Sequence, residues 1–105
     1  MKVQHALMLT AGLMLSAPVL ADDGEALMKK NNCGTCHQMD KKTVGPSIKA
    51  IAEKYAGDAG AAAKLEKKVR VGGAGSFGTM PMPATPAKAS DADIKAMVAH
   101  ILAAK

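Results

Sequence analysis

A chain of 105 residues has room for one small domain and no more. Beyond residue 21 its only aromatics are Tyr55 and Phe77, so the core lacks large flat pieces and needs reinforcement from a metal, a disulfide or a cofactor. The net charge of +5 is carried almost wholly by lysines that alternate with acids, without the basic-aromatic interleaving that grips nucleic acid, which is therefore excluded as a partner.

Residues 1–21 read as a secretory signal peptide. Lys2 supplies the positive start, Ala6 to Leu15 an uncharged apolar run too short to span a bilayer comfortably, and Val19 and Ala21 the small residues of a cleavage site. Residues 22–105 then form the domain, exported to the periplasm and without membrane insertion once the leader is removed.

The rest of the chain is helical in pattern. Glu25 to Asn31 holds good helix formers, with Leu27 and Met28 facing inward. Pro46 and Ser47 open a short helix to Tyr55, in which Ile48, Ile51, Ala52 and Tyr55 fall at helical spacing. A third helix is expected over Ala59–Val71, with Asp58 as its N-cap and Gly72-Gly73 as its stop. Glycine and proline make a loop of Gly72 to Ala89. The last helix, Ser90–Leu102, opens on a capping box formed by Ser90 and Asp93 and carries the apolar stripe Ile94, Met97, Val98, Ile101 and Leu102. No stretch alternates like a strand, and there is no internal repeat. The expected class is all-α.

Residues 33–37 read Cys-Gly-Thr-Cys-His, the spacing of covalent haem attachment. On a helical turn, positions i, i+3 and i+4 share a face, so Cys33 and Cys36 reach two edges of one porphyrin while His37 turns its imidazole to the iron. A thioredoxin-like dithiol wants a preceding strand and a βαβ context, which are missing. A structural zinc site wants four ligands where two cysteines and two histidines follow the leader. A plain disulfide leaves His37 without a purpose.

A second axial ligand must come from elsewhere in the chain. Met39 lies too close to His37 to cross to the far face; Met28 and Met97 sit on apolar helix faces as core filler; His100 reads as a surface residue at a helix end. Met80 and Met82 remain. Met82 is favoured because Pro81 and Pro83 fix the backbone on either side of it.

Cys33-Gly-Thr-Cys36-His37 near the start of the domain, Val44-Gly45-Pro46 soon after it, and Pro81-Met82-Pro83 before a final amphipathic helix resemble a class I c-type cytochrome of the short bacterial, cytochrome c-551-like kind. The resemblance implies an all-α class I cytochrome c fold of four to five short helices around one covalent haem, with the first and last helices crossing beside it. It implies thioethers from Cys33 and Cys36, iron ligation by His37 and Met82, and a hydrogen bond from the His37 ring to the Pro46 carbonyl. Phe77 stands near where short members often carry a tryptophan that contacts a haem propionate, and Thr85 occupies the region of a frequent asparagine. Arg70 is a candidate propionate partner.

The expected function is that of a periplasmic monohaem electron carrier between respiratory redox proteins, not an enzyme. Iron held on both faces has no vacant position for a substrate, and the thioether favours Fe(II). The expected partners are a reductase and an oxidase with acidic docking surfaces, met by lysines such as Lys29, Lys30, Lys41 and Lys42, and the carrier is expected to act as a monomer. The rival reading, a haem with a labile sixth ligand that binds small molecules, fits less well, since five-coordinate four-helix cytochromes place their motif near the C-terminus.

Overall fold

The computed structural model describes residues 21–105; the leader assigned to the first 21 positions therefore lies, up to residue 20, outside the described residues. Four helices follow in order: α1 (Ala21–Lys30), α2 (Ile48–Lys54), α3 (Ala61–Val71) and α4 (Asp91–Leu102), with one 3-10 turn at Cys33–Thr35. The all-α expectation holds.

Among the described residues α1 already covers Ala21 to Gly24, ahead of the good helix formers of Glu25 to Asn31. Gly24 marks where this helix packs. A Cβ at this position would stand 2.4 Å from the Ala96 carbonyl oxygen and 2.6 Å from the His100 Cβ. A glycine inside a helix costs roughly 0.5–1 kcal/mol against alanine, and here it lets two helix backbones meet. The first and last helices cross at this point, and His100 is half-buried beside the crossing rather than fully on the surface.

Helix α2 opens on Ser47, whose hydroxyl accepts from the Ala50 amide at 3.0 Å. Helix α4 carries the full capping box: the Ser90 hydroxyl accepts from the Asp93 amide, and the Asp93 carboxylate accepts from the Ser90 amide. Helix α3 departs from expectation. Its N-cap is Gly60, while the Asp58 carboxylate accepts from the Gly60 amide at 2.8 Å and pairs with Lys64 at 2.7 Å. Asp58 thus closes a turn ahead of the helix, and the Lys64 ammonium and the Gly60 amide hold its carboxyl below the ordinary aspartate value.

One apolar core joins the four helices: Met28 from α1, Ile48 and Ile51 from α2, Leu65 and Val69 from α3, and Ile94, Met97, Val98 and Ile101 from α4. Met28 and Met97 are 7% and 1% exposed, so both are core filler as their helical positions predict. The long segment between α3 and α4 is strapped down at several points. Gly73 and Met82 exchange both backbone hydrogen bonds, and the Thr85 amide donates to the Val69 carbonyl at 3.0 Å. The Arg70 guanidinium reaches the carbonyls of Pro86 (3.3 Å) and Ala89 (2.8 Å) and the Asp91 carboxylate (2.9 Å). Sequence reading offered Arg70 as a propionate partner; its donors are spent instead on tying the returning loop to the start of α4.

Candidate functional site

The turn carrying Cys33, Cys36 and His37 is entered through Asn32, which takes a left-handed φ of 59° that asparagine tolerates better than most residues. The Cys33 carbonyl then accepts from the amides of both Cys36 (3.2 Å) and His37 (3.0 Å). That double acceptance is the helical turn which sequence reading required to put the three side chains on one side. Both cysteines are half-buried thiols, and burial pushes the Cys33 thiol above its ordinary value.

His37 is fixed from behind. Its Nδ1 donates to the Pro46 carbonyl oxygen at 2.8 Å, and the Gly45 amide donates to the Cys36 carbonyl at 2.8 Å, which folds residues 43–46 over the ring. The Thr43 hydroxyl adds a second bond to the same Cys36 carbonyl. Gly45 has to be glycine, since a Cβ there would stand 2.6 Å from the His37 Cε1. With Nδ1 taken, Nε2 is the ring nitrogen left for a ligand, and the Pro46 bond sets the tautomer that leaves it unprotonated.

Opposite stands the proline-framed loop. Met82 is half-buried and packs against the apolar core, its backbone held on both sides by Gly73. Met80, the alternative two residues away, is 65% exposed. Gly72 makes the pairing possible: its φ is 70°, and a Cβ there would stand 2.3 Å from the Met82 carbonyl oxygen. Met39, set aside for its closeness to His37, is 42% exposed.

Between the two walls lies a cleft of about 230 Å³, lined by Cys33, Cys36 and His37 on one side and by Met80, Pro81 and Met82 on the other. Its floor is the core itself, with Ile48, Ile51, Leu65, Val69, Met97 and Ile101 facing it. Cys33, Cys36, His37, Met80 and Met82 thus meet in one apolar cavity, while Met39, Arg70 and His100 do not line it. Its donors (two thiols, an imidazole and a thioether) are soft or neutral groups of the kind that hold a haem, and its walls suit a flat apolar plate. Phe77, also on the rim, carries no polar donor; the Lys54 ammonium sits 4.4 Å from its ring centroid and donates to the Ser76 carbonyl, which pins this stretch to α2.

Comparison with known proteins adds an independent line. A cytochrome c family model matches residues 21–105. Cytochrome c-551 of Azotobacter vinelandii is 43% identical over 84 residues, covering 80% of this chain and all of that protein. Cytochrome c-551 of Pseudomonas aeruginosa is 38% identical over 98 residues, covering 93% and 92% of the two chains. Among solved structures, the crystal structure of wild-type Nitrosomonas europaea cytochrome c552 superposes with a TM-score of 0.72 at 47% identity, over 77% of this chain and 99% of that one.

Proposed function

The chain belongs to the cytochrome c family, and on that premise we propose that it is a periplasmic electron carrier whose single haem is held by Cys33, Cys36, His37 and Met82. Membership makes it a haem c protein and a monohaem electron carrier.

Haem c, when bound, supplies a one-electron Fe(III)/Fe(II) couple. The protein's own groups do the rest. Cys33 and Cys36 would fasten the plate through two thioethers. His37 would ligate through Nε2, its ring oriented and made more basic by the Pro46 carbonyl. Met82 would ligate from the opposite wall, and its burial, against the 65% exposure of Met80, supports this choice between the two. The surrounding aliphatic side chains exclude water and lower the local dielectric, which with the thioether favours Fe(II). With His37 and Met82 both holding the iron, no position would be left for a substrate, so the site would suit electron exchange without bond-making rather than catalysis.

Carriage between a reductase and an oxidase follows from that chemistry. No helix among the described residues is long and apolar enough to cross a membrane. The leader over residues 1–21 supports export and maturation outside the cytoplasm. Lys29, Lys30, Lys41 and Lys42 are exposed close to the attachment turn, and among the described residues only Lys29 is engaged, 3.5 Å from Glu25 across a surface-exposed helical pair. Such a pair contributes about 0.5 kcal/mol or less, so these ammonium groups remain available to an acidic partner.

The observation that carries this reading is the convergence of the C-x-x-C-H turn and Met82 on one apolar cleft. Mass spectrometry of the secreted protein tests it: the expected mass is that of residues 22–105 plus one haem, and bare polypeptide would refute it. Docking through the lysines predicts that the rate of electron exchange with an acidic redox partner falls steeply as ionic strength rises. A flat salt response would remove the electrostatic part of the proposal.

A further inference from the structure

We infer that Thr43 is a positioning residue for the iron ligand: its hydroxyl holds the peptide that joins Cys36 to His37, and so keeps the His37 ring against the Pro46 carbonyl. The inference rests on the haem reading above and extends it to a residue that no motif marks.

The peptide between Cys36 and His37 links a haem-bonding thiol to the imidazole ligand, and it is held at both ends. Its N–H donates to the Cys33 carbonyl at 3.0 Å. Its carbonyl lies just past the 3-10 turn of Cys33–Thr35, where the end of a helical turn leaves such an acceptor without a partner of its own. Two donors from the following segment meet it, the Gly45 amide at 2.8 Å and the Thr43 hydroxyl at 2.8 Å. Thr43 thus ties the ligand's own backbone to the strap that ends on Pro46, whose carbonyl accepts from His37 Nδ1.

Little else holds the near end of that strap. Thr43 and Val44 are exposed, Val44 at 52%, and Gly45 has no side chain, so apolar anchorage is slight. The Thr43 amide donates to the Gly45 carbonyl at 3.2 Å, which closes the turn on itself without fastening it to its surroundings. The far end is firm: the Ile48 and Lys49 amides donate to the Gln38 and Met39 carbonyls, and the Lys49 ammonium pairs with Asp40 at 2.8 Å. Among the described residues, Thr43 makes the only side-chain hydrogen bond from positions 41–45. Without it the strap can lift at its near end, and the bond from Nδ1 to Pro46 lengthens. A ring that gives its Nδ1 proton less firmly to an acceptor is a less basic ligand and favours Fe(III) less.

The test compares the mature holoprotein with its Thr43→Val and Thr43→Ser variants. Valine keeps the shape of threonine without the hydroxyl, serine keeps the hydroxyl, and the exposure of the residue leaves the fold intact in both. Deuterium exchange of the His37 Nδ1 proton is followed by NMR beside that of the α4 amides, and the midpoint potential is measured at neutral pH. In Thr43→Val the Nδ1 proton is expected to exchange about five-fold faster and the potential to rise, with the α4 amides unchanged; Thr43→Ser is expected to match the unmodified protein. An Nδ1 rate and a potential that stay put in Thr43→Val overturn the assignment and leave the haem reading intact. So does an equal acceleration of the α4 amides, which would make the hydroxyl a support of the whole fold rather than of the ligand. Absence of covalent haem from the unmodified protein overturns the haem reading and this inference together.

Discussion

Met82→Ala is expected to abolish the weak far-red sulfur-to-iron band of the oxidised protein and to lower the midpoint potential by on the order of 0.2 V, a share of the roughly 0.8 V that axial ligands span. The direction follows from the ligand's chemistry. A thioether is a poor donor to Fe(III) and a tolerable one to Fe(II), so its replacement by water or hydroxide stabilises the oxidised state. The variant should also take up carbon monoxide when reduced, as the unmodified protein should not. Met80 makes the result informative, because it sits two residues away on the same loop and also lines the cleft. If Met80 can take over, the band survives and the potential hardly moves. Strapping of residue 82 by Gly73 makes that register shift expensive, since both backbone hydrogen bonds must break. An intact band in Met82→Ala would move the assignment to Met80.

Gly72→Ala should be the most damaging single-methyl change in the loop. The alanine would have to hold a φ of 70° and place its Cβ 2.3 Å from the Met82 carbonyl oxygen and 2.8 Å from the Ala84 amide nitrogen. Both obstacles are backbone atoms, so relief requires Met82 itself to move. The expected loss is about 3 kcal/mol, which in a domain of this size lowers the melting temperature by on the order of 15 °C. Gly75→Ala is the matched control. Gly75 has a φ of 108°, yet nothing lies within 4 Å of its added Cβ, so only conformational strain of about 1 kcal/mol remains. Thermal melts followed at the far-red band separate the two. Equal melting temperatures would mean that contact between Gly72 and the methionine segment contributes nothing to holding it.

Much of this was legible in the residues. The C-x-x-C-H turn and the Pro81-Met82-Pro83 frame are local patterns whose chemistry does not depend on the rest of the chain, and the Ser90/Asp93 capping box is equally local. The bond from His37 to Pro46 came from resemblance rather than from spacing, and it is present at 2.8 Å. What escaped depended on distant partners. Asp58 was read as a cap, but an aspartate two residues before a glycine can equally close a turn onto that glycine's amide, and only the backbone path decides. The helical state of Asp22, Asp23 and Gly24 has no local sign, since all three are weak helix formers; Gly24 is packed on Ala96, some seventy residues away. Arg70 gave no local sign of its task, since its acceptors are loop carbonyls brought near only by the fold.

The clasp at Gly24 also governs how the polypeptide can be assembled. Bringing Gly24 to Ala96 closes a loop of roughly seventy residues, at an entropic cost of about 4 kcal/mol that no short-range contact offsets beforehand. Nothing can occupy that crossing until the last helix has packed. Until then Met97 and Ile101, two residues of the cavity floor, are missing, and the cleft beside the cysteine turn stays open from below. A chain opened at that crossing would therefore present its cysteine turn over an incomplete cleft, and closing the crossing would seal the cleft again.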